Sequence, residues 1–68
     1  MTFDIYGQFR VEVMREGEQW VAYRLELGKR LRLNDVVMPA SLHSSEIAVY
    51  LDDLYHEKAV PGQAVREV

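Results

Sequence analysis

The fold is decided by residues 3–27, which read FDIYGQFRVEVMREGEQWVAYRLEL. Every odd position from 3 to 13 holds an apolar residue or glycine, and the odd positions from 21 to 27 are apolar again. An alternation of period two that is held this long is typical of half-buried β-strands. Gly17 lies between the two alternating runs, so the stretch predicts a β-hairpin with its turn at this glycine.

The register of this hairpin depends on the length of its loop. A three-residue loop over 15–17, with Gly17 in the left-handed conformation, is a common hairpin form. It pairs Val11 with Val21 and places the odd residues of both strands on one face. A two-residue loop would shift the pairing and mix the two faces. We therefore predict the three-residue loop, with a core made by the odd residues.

The even-residue face then gathers a set of large side chains on what is otherwise a polar surface. Tryptophan, tyrosine and methionine are enriched at protein–protein contacts. The alternative is a tryptophan that lies flat across the sheet and shields its edge. The predicted candidate interface consists of Tyr6, Met14, Trp20 and Ala22.

The rest of the chain reads as a third strand, a helix and a tail. A three-residue loop over 28–30 would pair Leu25 with Leu33 in a meander. A helix of about 15 residues follows, starting at Ser44 or at His43 and ending before Pro61. Its apolar stripe at a spacing of 3.6 residues consists of Ile47, Tyr50, Leu51, Leu54, Tyr55 and the stem of Lys58.

The predicted architecture is α+β, with a three-stranded antiparallel meander and one helix packed on its odd-residue face (β-β-β-α). The tail over 63–68 is either a short C-terminal strand or a disordered end. At 68 residues the chain is a single domain, 1–68, with a small core. There is no cysteine that could cross-link it, and oligomerisation is one way to add buried area. We therefore expect a homo-oligomer, most simply a homodimer.

Composition and charge limit the classes of binding partner and the cellular location that we expect. The net charge of −3 argues against nucleic-acid binding. The apolar runs are far too short for a membrane span, and the N-terminus enters the strand pattern without the features of a signal peptide. A cytoplasmic protein without membrane contact is expected. The cluster Lys29, Arg30 and Arg32 is either a phosphate or acidic-partner patch, or a positively charged edge strand protected from aggregation.

No pattern of catalytic residues is present. His56 follows Asp52 by four residues, so the two can meet on one helix face, but metal ligation needs a third ligand. We interpret them as a surface pair. We expect no enzyme activity, no cofactor and no bound metal, and a small metal-binding or catalytic domain is the least favoured alternative.

Three segments carry a resemblance that spans nearly the whole chain. They are YGQFRVEV from Tyr6, WVAYR from Trp20 and YLDDLYHE from Tyr50. The chain resembles a family of short bacterial proteins of unknown function, which implies a bacterial, self-contained domain and no particular activity.

The segment GEQWVAY from Gly17 also resembles the second strand of the N-terminal domain of HicB-type antitoxins. The chain lacks that family's Pro-Gly-Cys-like segment after the second strand and the DNA-binding region after the helix. The favoured function is a small, non-enzymatic protein-interaction module that self-associates. The alternative is an antitoxin-like regulator that binds another protein.

Overall fold

The computed structural model describes residues 1–68, which form one antiparallel sheet and one helical segment. The sheet order is β4-β3-β2-β1-β5. The α+β class and the single helix are confirmed, and the sheet has five strands where the sequence pattern predicted three. The strands are β1 Thr2–Ile5, β2 Phe9–Glu16, β3 Gln19–Glu26, β4 Lys29–Arg32 and β5 Val65–Glu67. The helical segment consists of a 3-10 turn Ser44–Glu46, the helix α1 Ile47–Tyr55 and a second 3-10 turn His56–Lys58.

The first predicted strand is two strands, because the chain reverses at Tyr6 and Gly7. Both residues have a positive φ, of 54° and 71°. The Gln8 N–H donates to the Ile5 carbonyl oxygen at 2.9 Å and closes the turn. The Gly7 N–H donates to the carboxylate of Asp4 at 2.9 Å. Gly7 is therefore a turn residue and not the core strand position that its parity indicated.

The predicted register of the hairpin at Gly17, formed by β2 and β3, is wrong. Its loop has two residues, Gly17 and Glu18, so that Val13 lies opposite Ala22 and Met14 opposite Val21. Gly17 has a φ of 64°. A glycine with positive φ at the first position of a two-residue loop fits a turn whose twist matches that of the flanking strands. The odd residues of β2 therefore share a face with the even residues of β3.

The other predicted hairpin, now formed by β3 and β4, is displaced in the same way. Leu27 and Gly28 form a two-residue loop, and Leu25 lies opposite Arg30 instead of Leu33. Leu27, predicted to lie in the core, is fully exposed at the turn with a φ of 33°. Leu31 is 45% exposed, so the predicted leucine core at this edge does not form.

The core lies between the sheet and the helical segment. The helix contacts β1 and β5. The odd residues of β1 and β2 face it as predicted, but β3 contributes an even residue, Ala22. The ten residues of the buried cluster are Phe3, Ile5, Tyr6, Val11, Val13, Ala22, Val36, Met38, Ile47 and Leu51.

The segment 33–43 places two of its side chains in this core. It leaves β4, buries Val36 and Met38, and reaches the helix N-terminus. The Trp20 indole N–H donates to the Leu42 carbonyl oxygen at 2.9 Å. The Tyr50 hydroxyl donates to the Val37 carbonyl oxygen at 2.6 Å. These two aromatic residues hold the segment against the sheet and the helix.

The helical segment starts where the sequence indicated. The Glu46 carboxylate accepts a hydrogen bond from the His43 N–H at 3.0 Å, which satisfies one free donor at the helix N-terminus. Of the predicted stripe, Ile47 and Leu51 are buried, whereas Leu54 is 43% exposed. The protein contains no helix with both the length and the apolar character that a membrane crossing requires.

Candidate interaction surface

One face of the sheet carries no helix, and the register decides which side chains lie on it. We call it the open face. Side chains on opposite residues of a ladder point to the same side of a sheet, and successive side chains of a strand alternate. In the three central and edge strands β2, β3 and β4 the open face therefore consists of Arg10, Glu12, Met14, Glu16, Gln19, Val21, Tyr23, Leu25, Arg30 and Arg32.

The centre of the open face is apolar. Val21 is only 5% exposed although it does not belong to the core cluster on the other side of the sheet. Met14, Tyr23 and Leu25 are half-buried. The Arg30 guanidinium stacks over the Tyr23 ring at 4.3 Å from its centroid, and its Nη2 lies 3.2 Å from the Met14 sulfur. The stem and planar head of Arg30 thus extend this apolar centre.

Charged side chains of both signs, joined in ion pairs, surround the apolar centre. Arg30 Nε lies 3.0 Å from Glu12 Oε1, an ion pair without hydrogen-bond geometry, and Arg32 Nη1 lies 3.4 Å from Glu16 Oε1. The Tyr23 hydroxyl donates to Glu16 Oε2 at 2.7 Å. This hydrogen bond to a carboxylate, together with desolvation, raises the pKa of Tyr23, so the hydroxyl stays protonated and can only donate to Glu16.

The structure does not bring the four predicted interface residues together. Tyr6 and Ala22 are buried, at 3% and 1% exposure. Trp20 lies on the helix-side face, where its ring stacks under the Arg15 guanidinium at 4.1 Å. Of the four, only Met14 lies on the open face, because the prediction assumed the same parity for both strands of the hairpin. Val21, Tyr23 and Leu25, assigned to the core by that parity, replace the other three.

The predicted basic cluster is also divided by the register. Arg30 and Arg32 lie on the open face in the ion pairs described above, whereas Lys29 lies opposite Glu26 on the helix-side face. Arg24 stacks over the Phe9 ring at 4.2 Å and pairs with Glu26 at 2.8 Å. These cations therefore do not form one continuous patch.

The predicted surface pair of His56 with Asp52 does not form, because each residue has another partner. The His56 ring Nδ1 lies 2.9 Å from the Asp53 carbonyl oxygen. The carboxylate of Asp52 accepts a hydrogen bond from the Tyr6 hydroxyl, which also lies 3.2 Å from the Asp52 carbonyl oxygen. The hydrogen bond to Asp52, followed by desolvation, raises the pKa of Tyr6 to about 12. No group of three or more histidine, cysteine, aspartate or glutamate side chains is placed to hold a metal ion.

The sequence was compatible with the register that forms the open face but did not select it. Gly17 is compatible with the last position of a three-residue loop and with the first position of a two-residue loop. The second placement moves Val21, Tyr23 and Leu25 to the face of Met14. Both halves of the alternation in β3 contain apolar residues, so the pattern of this strand alone does not separate the two registers.

Comparison with known proteins gives a family and no relative of described function. No curated protein matches the chain, and no solved structure matches it. One family model matches residues 1–68, and its description is "Domain of unknown function (DUF7661)". The match covers the whole chain, and the protein therefore belongs to the DUF7661 family.

Proposed function

We propose that this protein is a small, non-enzymatic protein-interaction module that self-associates as a homodimer through its open face. The observation that carries the proposal is an apolar centre framed by paired charges of both signs, on a sheet face that no other element of the chain covers. Stable interfaces have this anatomy of an apolar centre and a polar rim. Tyr23 and Arg30, stacked on each other, belong to the residue types enriched among interface hot spots.

The charge pattern favours a second copy as the partner. In a two-fold dimer the same patch faces itself, so each cation must meet an anion of the other copy. The open face offers the cations Arg30 and Arg32 beside the anions Glu12 and Glu16. A two-fold axis through the apolar centre can exchange these pairs between subunits without leaving a charge unpaired.

The size of the face sets the strength of the dimer. The five strands contain 27 residues in total. At about 3.3 Å per residue and about 4.8 Å between strands, they present a flat area of about 430 Å² per copy. Two such faces bury roughly 900 Å², which is in the range of weak and transient complexes. We therefore expect a dimer that dissociates in the micromolar range and not an obligate one.

The test is sedimentation equilibrium of the wild type and two matched variants over about 1 to 500 µM. Leu25→Lys places a cation between Arg10 and Arg30 on the open face, and Val49→Lys makes the same change on the exposed helix surface. We expect a concentration-dependent dimer for the wild type and Val49→Lys, and a monomer with unchanged circular dichroism for Leu25→Lys. A wild type that stays monomeric throughout, or an unaltered Leu25→Lys dimer, contradicts the proposal.

A second candidate function is an antitoxin-like regulator that binds a basic protein. It is favoured by one observation: the residues 44–58 hold four carboxylates and one lysine, a balance of −3 that equals the net charge of the whole chain. The partner would then contact the helical segment and not the open face. Native mass spectrometry of the tagged protein from its host tests this candidate. A stoichiometric basic partner, lost in Asp53→Lys but retained in Leu25→Lys, would favour it over self-association.

A further inference from the structure

The strand β3 extends beyond its edge neighbour. Strand β4 pairs with β3 only from Tyr23 to Glu26, and one further bond joins the Leu33 N–H to the Ala22 carbonyl oxygen at 2.9 Å. On its other side β3 is paired with β2 as far as Gln19. The residues 19–21 of β3 therefore lie on a sheet edge without a neighbouring strand.

The backbone of Trp20 points out of this edge. In an antiparallel ladder the peptide groups of successive residues turn to opposite neighbours. Because the Ala22 carbonyl is bonded on the β4 side, the N–H and C=O of Trp20, two residues away, also point to that side. No backbone hydrogen bond outside the helices and strands involves Trp20. Its peptide N–H and C=O are thus free to pair with another extended chain.

A groove of about 450 Å³ runs along this edge. It lies between residues 19–22 of β3 and the segment 32–40, and its volume is within the range typical of binding sites. Eight of the twelve lining residues are hydrophobic, among them Trp20, Val36 and Val37. Val37 is 76% exposed. The groove therefore combines the free backbone groups of Trp20 with a largely apolar lining in which Val37 is open to solvent.

The charge of the groove indicates the chemistry of its occupant. Arg32 is the one charged residue of the lining, and no carboxylate is among the lining residues. The ion pair of Arg32 with Glu16 is half exposed and uses Nη1 of the guanidinium at 3.4 Å, so the other N–H groups of Arg32 can bind a second carboxylate. An acidic residue in the occupant is favoured, and a basic residue at the same place is not.

We propose that this groove binds an extended segment of another protein, with alternating apolar and acidic side chains, as an added strand beside Gln19–Ala22. The free N–H and C=O of Trp20 supply main-chain bonds, and the alternation of a strand sends its apolar residues to the groove and its acidic residues toward Arg32. The edge site shares Val21 and Arg32 with the open face, whereas Leu25 is not among the residues that line the groove. The variant Leu25→Lys therefore distinguishes this proposal from the homodimer.

The experiment uses the full chain and a short synthetic peptide of alternating valine and glutamate as the probe. Amide hydrogen exchange measured by NMR reports on the backbone, and the fluorescence of the single tryptophan reports on the groove. In the free protein the Trp20 amide should exchange much faster than the Val21 amide, which pairs with Met14. At saturating peptide we expect the exchange of Trp20 to slow by at least about tenfold.

Matched controls separate the contributions. A peptide of alternating valine and lysine, and a valine–glutamate peptide with N-methylated backbone, should fail to bind. Val37→Glu should weaken the binding of the acidic peptide by about tenfold or more, whereas Val37→Lys should not, since only the sign of the charge differs. Leu25→Lys, which disrupts the proposed homodimer, should bind the peptide like the wild type.

Three results would overturn the proposal. The first is an unchanged exchange rate of Trp20 with the valine–glutamate peptide. The second is equal binding of the acidic and basic peptides. The third is a Trp20 amide that becomes protected without peptide as the protein concentration rises, which would mean that a second copy of the chain occupies the edge.

Discussion

Ala22→Asp is the substitution that tests the register on which both interaction sites depend. Ala22 is 1% exposed and belongs to the core cluster between sheet and helix. The parity of residues 3–27 would place it on the solvated face instead. Leu25 has the opposite assignment, since the parity would bury it and the structure places it on the open face. In the register of the structure Ala22→Asp should destabilise the fold and Leu25→Asp should not, and in the register predicted by parity the reverse should hold.

The cost of Ala22→Asp follows from the burial of a carboxylate. Desolvation raises the pKa of a fully buried carboxyl by up to about 3–5 units from about 3.9. If the pKa in the folded state rises above 7, the side chain is protonated at pH 7 and pays no further cost for burying a charge. The electrostatic cost at pH 7 is therefore limited to about 3 pKa units, or about 4 kcal/mol at 1.36 kcal/mol per unit. A domain of 68 residues has a total stability of about 3–10 kcal/mol. The variant should lose a large part of its stability at pH 7 and regain most of the electrostatic part near pH 4.

Leu25→Asp should change the stability by no more than about 1 kcal/mol. The new carboxylate would lie directly opposite Arg10 on one neighbouring strand and Arg30 on the other. Urea denaturation, monitored by far-UV circular dichroism, gives the free energy of unfolding of each variant. The protein concentration is kept below the range in which a dimer would form. Ala22→Asn serves as the control for volume, and the difference between Asp and Asn isolates the charge.

The opposite result would refute the register. If Ala22→Asp is as stable as the wild type and Leu25→Asp unfolds, then the odd residues of β3 form the core. The open face would then lose its apolar centre. A loss of equal size in Ala22→Asp and Ala22→Asn, without recovery at pH 4, would show that volume and not charge decides the effect at this position.

Three further predictions concern the turn, the buried tyrosine and the helix. Leu27→Asn should raise the free energy of unfolding by roughly 0.5–1 kcal/mol, about 4 °C in melting temperature, because Leu27 is fully exposed and Asn-Gly favours the positive φ of this turn. Leu27→Ala, which keeps the strain, is the control. Equal melting temperatures of the two variants would contradict the assignment of this turn. The wild type should lose stability as the pH rises above 10, because Tyr6 ionises there in the unfolded chain, whereas in the folded protein its hydroxyl, bonded to Asp52, keeps its proton up to a pKa of about 12. Denaturation curves between pH 9 and 11 should show a smaller loss for Tyr6→Phe. An identical dependence of stability on pH in the two proteins would exclude this hydrogen bond. Leu51→Ala should cost about 3–5 kcal/mol at a fully buried position, whereas Leu54→Ala, 43% exposed, should cost much less, and equal effects in thermal unfolding would contradict the helix orientation.

Much of the secondary structure was predictable because it depends on local patterns. The apolar spacing of Ile47 and Leu51 located the helix, and the alternation around Val11 and Val13 located the central strand with its core face. Gly7 shows the limit of parity. An apolar-looking odd position was read as strand, and the turn there depends on a positive φ at both Tyr6 and Gly7 that an alternation pattern does not record.

The candidate site was less predictable than the fold for a physical reason. In β3 both faces carry apolar residues, with Trp20 and Ala22 on one and Val21 and Tyr23 on the other. Hydrophobic burial alone therefore does not choose between them. The two registers differ at the loop at Gly17, where a change of one residue in length turns every side chain of the following strand to the other face.

The sequence by itself determined the α+β class, the helix, the turns near Gly17 and Gly28 and the small size of the core, because these follow from local conformational preferences and from length. Only the tertiary structure decided the register of β3, the exposed surface formed by Met14, Tyr23 and Leu25, and the free edge at Trp20. These features depend on how the strands pair and on where the segment 33–43 packs. Contacts between residues distant in the chain make that choice, and no local pattern contains them.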